Sequence, residues 1–130
     1  MKAPAPDSPD PHQGRNVRNV AIAGFGTVGS SVANILSQRA HDGIRLTHVY
    51  NRSVSRKRAD WLPSSVRWTN NIDDILSSPE IDILVEVIGG LDPAGTWIRS
   101  ALSSGKSVVT ANKQLIARFG SSLIDLAASM

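Results

Sequence analysis

Three glycines stand at positions 24, 26 and 29 in the run Gly24-Phe25-Gly26-Thr27-Val28-Gly29, directly after the apolar Val20-Ala21-Ile22-Ala23. At that spacing the first glycine permits a tight turn, the second lets the backbone approach a pyrophosphate, and the third allows a helix to pack closely on a strand. A helix opening here aims its unpaired N–H groups and the positive end of its dipole at the phosphates. Ordinary strand–helix turns also collect glycines, so the motif draws its weight from the apolar run before it and the helical period after it.

Three further clusters bear on the same chemistry. Tyr50-Asn51-Arg52-Ser53 closes a second apolar stretch, and Asn51 lies 51 − 29 = 22 residues beyond Gly29. NAD-binding folds place an acid about 20 residues on, for the ribose 2′-hydroxyl. Here Arg52, Ser53, Arg56 and Lys57 supply positive charge and donors instead. A carboxylate would repel a 2′-phosphate, whereas a guanidinium binds one bidentately, so the expected cofactor is NADP, with NAD as the alternative. A solvated basic loop is the bland reading of the same residues. Ile88-Gly89-Gly90 ends a third stretch, either as a close approach to a ribose or nicotinamide edge or as a simple turn. Thr110-Ala111-Asn112-Lys113 ends a fourth, and its lysine can meet a nicotinamide ribose or a substrate carbonyl, or stand in solvent. Glu86 interrupts an apolar run, which requires it to lie near the strand's polar end or to have partners, so it reads as structural.

The elements that position these clusters follow from periodicity. Val17 to Ala23, Ile44 to Tyr50, Val66 to Thr69, Ile81 to Ile88 and Ser107 to Thr110 read as strands, the second with imperfect alternation. Thr27 to Arg39 reads as a helix with Val28, Val32, Ile35 and Leu36 on one stripe. Short helices are expected over Ser55 to Trp61 and Asp73 to Ser77. Another is capped by Asp92-Pro93 and ends near Ser104, with Gly105 as its C-terminal cap. A helical pattern after Lys113 is expected to break at Phe119-Gly120 and resume from Ser121 to Ser129. Strands alternating with helices imply an α/β fold, a doubly wound (Rossmann-type), mostly parallel sheet with helices on both faces. Ligands in such sheets bind beyond the carboxyl ends of the strands, where all four clusters stand.

Composition narrows the classes. At 130 residues the chain is one domain, and 41% hydrophobic with 19% charged residues is a globular balance. Residues 17–130 are expected to form that domain, behind a disordered tail over 1–16 carrying Pro4, Pro6, Pro9 and Pro11. With no cysteine there is no disulfide or thiolate nucleophile. His12, His41 and His48 lack metal-ligand spacing and are expected in the tail or on the surface, so no metal site is assigned. The net charge of +3 concentrates in Arg52 to Arg58 without interleaved aromatics, which suits one phosphate as well as a polyanion and argues against a nucleic-acid partner. No apolar run has the length of a membrane span or a signal-peptide core, so the protein reads as cytoplasmic with no membrane partner.

Taken together, three segments carry a resemblance. Ala21-Ile22-Ala23-Gly24-Phe25-Gly26-Thr27-Val28-Gly29, Asp82-Ile83-Leu84-Val85-Glu86-Val87-Ile88-Gly89-Gly90 and Gly105-Lys106-Ser107-Val108-Val109-Thr110-Ala111-Asn112-Lys113 resemble the cofactor-binding domain of homoserine dehydrogenase. Pro93-Ala94 is similar too, and the likeness runs from about Val17 to Ala128. The resemblance implies NAD(P)-dependent interconversion of L-homoserine and L-aspartate 4-semialdehyde, in threonine and methionine biosynthesis. It also implies Phe25, Gly26, Thr27 and Val28 at the pyrophosphate, Arg52 and Lys57 near the 2′-phosphate, and Gly89 and Gly90 near the ribose. Lys113 would then stand near the nicotinamide as the candidate catalytic residue, supplying a proton to the alkoxide that forms. With Gly24, Gly29, Asn51, Ser53, Ile88 and Ala111, these are the candidate site residues. The family's substrate carboxylates and dimerisation region belong to a catalytic domain expected beyond Met130. The chain alone is therefore expected to hold cofactor and to turn over homoserine poorly, with a small-molecule substrate and a possible homo-oligomer belonging to the full-length enzyme. A free-standing NADP(H)-binding module and the cofactor domain of a related enzyme, such as an aspartate dehydrogenase, remain open as alternatives.

Overall fold

Five segments, β1 (Arg18–Ala23), β2 (Ile44–Tyr50), β3 (Arg67–Thr69), β4 (Ile83–Glu86) and β5 (Ser107–Thr110), pair in parallel in the order β3-β2-β1-β4-β5. The computed structural model describes residues 17–38, 43–53 and 59–130. The expected proline-rich tail and residues 55–58 of the expected helix lie outside them. Four helices are described: α1 (Thr27–Gln38), α2 (Asp73–Leu76), α3 (Ala94–Ser103) and α4 (Lys113–Ser129). The chain steps outward from β1 through β2 to β3, then returns across β1 to β4 and β5. Strand order thus reverses between β1 and β4, the position at which doubly wound sheets bind ligands.

Each face of the sheet carries its own core. Val20, Ile22, Leu46, Val49 and Val85 pack beneath α1 on one face, and Ala21, Ala23 and Leu84 meet Ile75 of α2 and Ala101 of α3 on the other. Helix α4 lies against α3 through Ile98, Leu102, Leu115 and Leu123. The doubly wound α/β fold read from the sequence is the fold observed.

The imperfect alternation of β2 has a structural cause. Pairing with β1 runs Val20↔Leu46 and then Ala21↔His48, so Thr47 is an extra residue, and its Oγ1 donates to the Val20 carbonyl (3.3 Å). A one-residue bulge reverses which face the following side chains occupy. Leu46 and Val49, three apart, therefore share the α1-side core, and Tyr50 is turned to the opposite face beside Trp97. The bulge also buries His48, which corrects the expectation of a surface histidine.

Other differences are local. In α1 the buried residues are Gly29 and Ala33, with Val32 and Leu36 packed at the edge, while Val28 and Ile35 of the expected stripe are exposed. Two small residues four apart let the helix axis approach the sheet, so the contact runs through them. Strand β4 is four residues rather than the eight of Ile81 to Ile88, although the Val87 N–H still donates to Ala23 O (3.0 Å). Helix α4 runs unbroken through Phe119-Gly120, because Leu115, Gly120 and Leu123 form its buried face and packing outweighs a glycine cost of about 1 kcal/mol. Asp92 makes no capping bond to α3, whose N-cap is Pro93. Gly105 does follow that helix in the left-handed region (φ +87°) as expected. Ala59 to Trp61 form a turn, not the end of a helix.

Candidate dinucleotide site

The glycine run occupies the turn from β1 into α1, and its three glycines behave differently. Gly24 is buried with φ +116°, and its N–H donates to the carbonyl of Tyr50 (2.9 Å), which ties the turn to the end of β2. A Cβ on Gly29 would collide with the carbonyl oxygen of Gly24, so the third glycine is what lets α1 start this close to β1. Around Gly26 a Cβ would meet nothing within 4 Å. That bare backbone at the head of a twelve-residue helix, with Thr27 and Val28 exposed on its first turn, is a cradle into which a pyrophosphate fits. Phe25 is buried (8% exposed), its ring edge-on to Trp68 (centroids 4.8 Å apart) and stacked toward Trp61 (6.1 Å).

Two cavities flank the end of β4. The first, about 550 Å³ and of the size that takes small molecules, is lined from the β1 and β2 side by Gly24 to Gly26, Tyr50, Asn51 and Arg52. Val87 to Gly89, Asp92, Pro93 and Trp97 line it from the β4 side, where the Trp97 ring meets Tyr50 edge-on at 5.0 Å. Arg52 is exposed, and Asn51 accepts from the Ser53 N–H (3.4 Å), which curls the chain after β2. The second cavity, about 180 Å³, is lined by Val28, Val87, Ile88, Gly89, Ala111 and Asn112. Val87, Ile88 and Gly89 belong to both, so this turn is the partition between them.

That partition is held by polar groups. Glu86, the last residue of β4, is fully buried, and one carboxylate oxygen accepts from the N–H groups of Ile88 and Gly89 (both 3.0 Å). Its other oxygen accepts from the Thr110 hydroxyl at the end of β5 (2.6 Å). The structural reading of Glu86 was sound: it stands at the polar end of its strand and has three donors. Asn112 donates through Nδ2 to Gly90 O (2.5 Å), and its Oδ1 accepts from the Leu115 N–H (3.1 Å), capping α4. Lys113 is the next residue, exposed on the first turn of α4.

The sequence model of the family described as "Homoserine dehydrogenase, NAD binding domain" matches residues 24–130. The chain belongs to this family. Homoserine dehydrogenase from Bacillus subtilis is 35% identical over 112 residues, covering 81% of this chain and 26% of that one. The structure of S. aureus homoserine dehydrogenase superposes with a TM-score of 0.79 at 38% identity, covering 88% of this chain and 30% of that one. A hyperthermophilic archaeal homoserine dehydrogenase, solved in complex with NADPH, superposes at 0.68 with 25% identity, covering 86% of this chain and 41% of that one. The chain thus spans about a quarter of the length of the curated relatives it matches.

As a homoserine dehydrogenase NAD-binding domain, the chain gathers Gly24 to Gly26, Val28, Asn51, Arg52, Ile88, Gly89 and Ala111 around the two cavities, with Thr27 exposed on the helix turn between them. Gly29 acts behind them through packing, Gly90 through its carbonyl, and Ser53 sits one residue outside. Lys57 lies outside the described residues. Tyr50, Val87, Asp92, Pro93, Trp97 and Asn112 line the walls without being among the candidate site residues. For Asn112 a signal existed, since an Asn directly before a helical pattern marks an N-cap. The rest become visible only with the fold. Lys106, in the same segment as Lys113, is buried at the other end of β5, where its ammonium donates to Ser78 O (2.6 Å) and Ile81 O (3.1 Å). Burial pushes its pKa down from the usual lysine value, against the opposing pull of Asp82. Among the described residues no group of three or more His, Asp or Glu side chains gathers around a metal position, and no helix is long and apolar enough to cross a membrane.

Proposed function

We propose that this chain is the cofactor-holding part of an NADP-preferring homoserine dehydrogenase, the enzyme that interconverts L-homoserine and L-aspartate 4-semialdehyde. The observation that carries the reading is the open backbone at Gly26, at the strand reversal and at the head of α1, with Arg52 in the wall of the same cavity. When bound, the nicotinamide supplies the hydride acceptor or donor. The α1 turn holds the pyrophosphate, and Arg52 meets the 2′-phosphate. The Gly89-Gly90 turn and Ala111 pass beside the nicotinamide half. Lys113, next to the cavity wall at Asn112, is the residue we assign to proton transfer at the substrate oxygen. The NADPH bound to the archaeal relative supports the cofactor choice. The working enzyme is read as cytoplasmic, acting on a small molecule and homo-oligomeric, with the substrate carboxylates supplied outside these 130 residues.

Titrating the purified chain with NADPH and NADH by calorimetry tests this reading. NADPH is expected to bind at least about tenfold more tightly, and Arg52→Ala to remove most of that margin, as loss of a charge-assisted bond worth about 1.5–3 kcal/mol requires. Equal affinities, or a preference for NADH, would overturn the NADP assignment.

A further inference from the structure

We propose that Glu86, Thr110 and Asn112 form a positioning clamp for the nicotinamide half of the bound cofactor, with Thr110 joining its two sides. The inference rests on the cofactor reading above and extends it to residues that touch no ligand. The glycine end of the turn after β4 has no side-chain packing of its own, whereas Val87 packs on the α1-side core. Gly89 and Gly90 are exposed, both in the left-handed region (φ +79° and +77°), and a Cβ on either would meet nothing within 4 Å. Its place is therefore set by hydrogen bonds: the Glu86 carboxylate takes the Ile88 and Gly89 N–H groups, and the Asn112 amide donates to Gly90 O.

The bonds run in one chain: the single hydroxyl proton of Thr110 is donated to Glu86, and the Thr110 oxygen accepts from the Asn112 N–H (3.0 Å). Asn112 in turn caps α4, the helix that begins with Lys113. One threonine hydroxyl thus fixes the β4 turn, which walls both cavities, against the β5 turn, which walls the second and leads into Lys113. Neither Glu86 nor Thr110 lines either of these two cavities. Both act through Ile88, Gly89, Gly90 and Asn112, and the second cavity, walled by both turns, depends on them most.

The test is a pair of probes on the 130-residue chain: NADPH, and adenosine 2′,5′-diphosphate, which lacks the nicotinamide half. Thr110→Val removes the hydroxyl and keeps the shape, whereas Thr110→Ser keeps the hydroxyl. The Val variant is expected to bind NADPH about tenfold or more weakly while holding the diphosphate within about twofold of wild type, with Ser restoring NADPH binding. Glu86→Gln, which leaves the Thr110 site intact in shape, is expected to give the same split and serves if Thr110→Val does not fold. A merely structural role would weaken both probes together, and that result overturns the clamp. So does unchanged NADPH binding in the Val variant, or a Ser variant as weak as Val. A wild-type chain that binds neither probe overturns the cofactor reading and this inference together.

Discussion

The two ends of the groove are built from different materials. At the end formed by β1 and β2, position is set by contact: Phe25 wedged against Trp68 and Trp61, Gly29 against Gly24, Tyr50 against Trp97. At the end formed by β4 and β5 it is set by directed bonds, with a fully buried carboxylate, a threonine hydroxyl and an asparagine amide holding two glycines. Apolar packing tolerates small shifts and costs stability in proportion to volume lost. A buried polar network holds geometry tightly but fails abruptly when one member goes unpaired. The tolerant end is where a dinucleotide's phosphates would be gripped, and the exacting end is where its reactive ring would be aimed.

That division makes truncation at the contact end the costliest in stability. Phe25→Ala is expected to destabilise the chain by about 3 kcal/mol, at the low end for a buried aromatic because the ring lies in a turn. For a domain of this size that lowers Tm by about 10 °C in a thermal melt. A loss under about 1 kcal/mol would show that the aromatic cluster does not hold the glycine turn. Glu86→Gln comes next, at about 2 kcal/mol, because the amide must present an N–H either to two backbone donors or to the Thr110 hydroxyl. Equal stability of this variant and wild type would remove the contrast from the other side.

Within the contact end, Gly26 and Gly29 separate packing from binding. Gly26→Ala adds a methyl to open space, so stability should stay within about 0.5 kcal/mol while NADPH binding falls about tenfold or more, its backbone no longer open to a pyrophosphate. Unchanged affinity would place the pyrophosphate elsewhere.

How legible these features were in the sequence follows the range of the interaction. Although β4 ends at Glu86 rather than Ile88, the glycine turn and the order of the strands rest on local period and composition and appeared as read. The bulge at Thr47 did not, because one inserted residue leaves composition intact and only inverts the faces beyond it. It moved Tyr50 to the Trp97 side and His48 into the interior. Val28 and Ile35 looked like core on the helical period, yet α1 meets the sheet through Gly29 and Ala33, residues a hydrophobicity pattern passes over. Glu86 was recognisable as a buried charge in need of partners, but Thr110 stands 24 residues away and nothing local names it.

The smallest expected effect lies at His48, the buried polar residue of the contact end. Its ring nitrogen Nδ1 is 2.9 Å from Thr47 Oγ1, and burial, helped by Arg67, lowers its pKa below the usual value of 6.5, with Asp74 and Glu80 opposing. The folded chain therefore takes up this proton less readily than the unfolded chain. Stability from His48 is present in full above about pH 6.5 and is lost as pH falls through that value toward the lowered folded pKa. His48→Asn keeps a polar group able to pair with Thr47 Oγ1 but cannot titrate. Melts at pH 7.5 and 5.5 should show Tm falling further for wild type than for the variant. Parallel falls would mean that β2 carries no such proton linkage, leaving packing alone to account for the contact end.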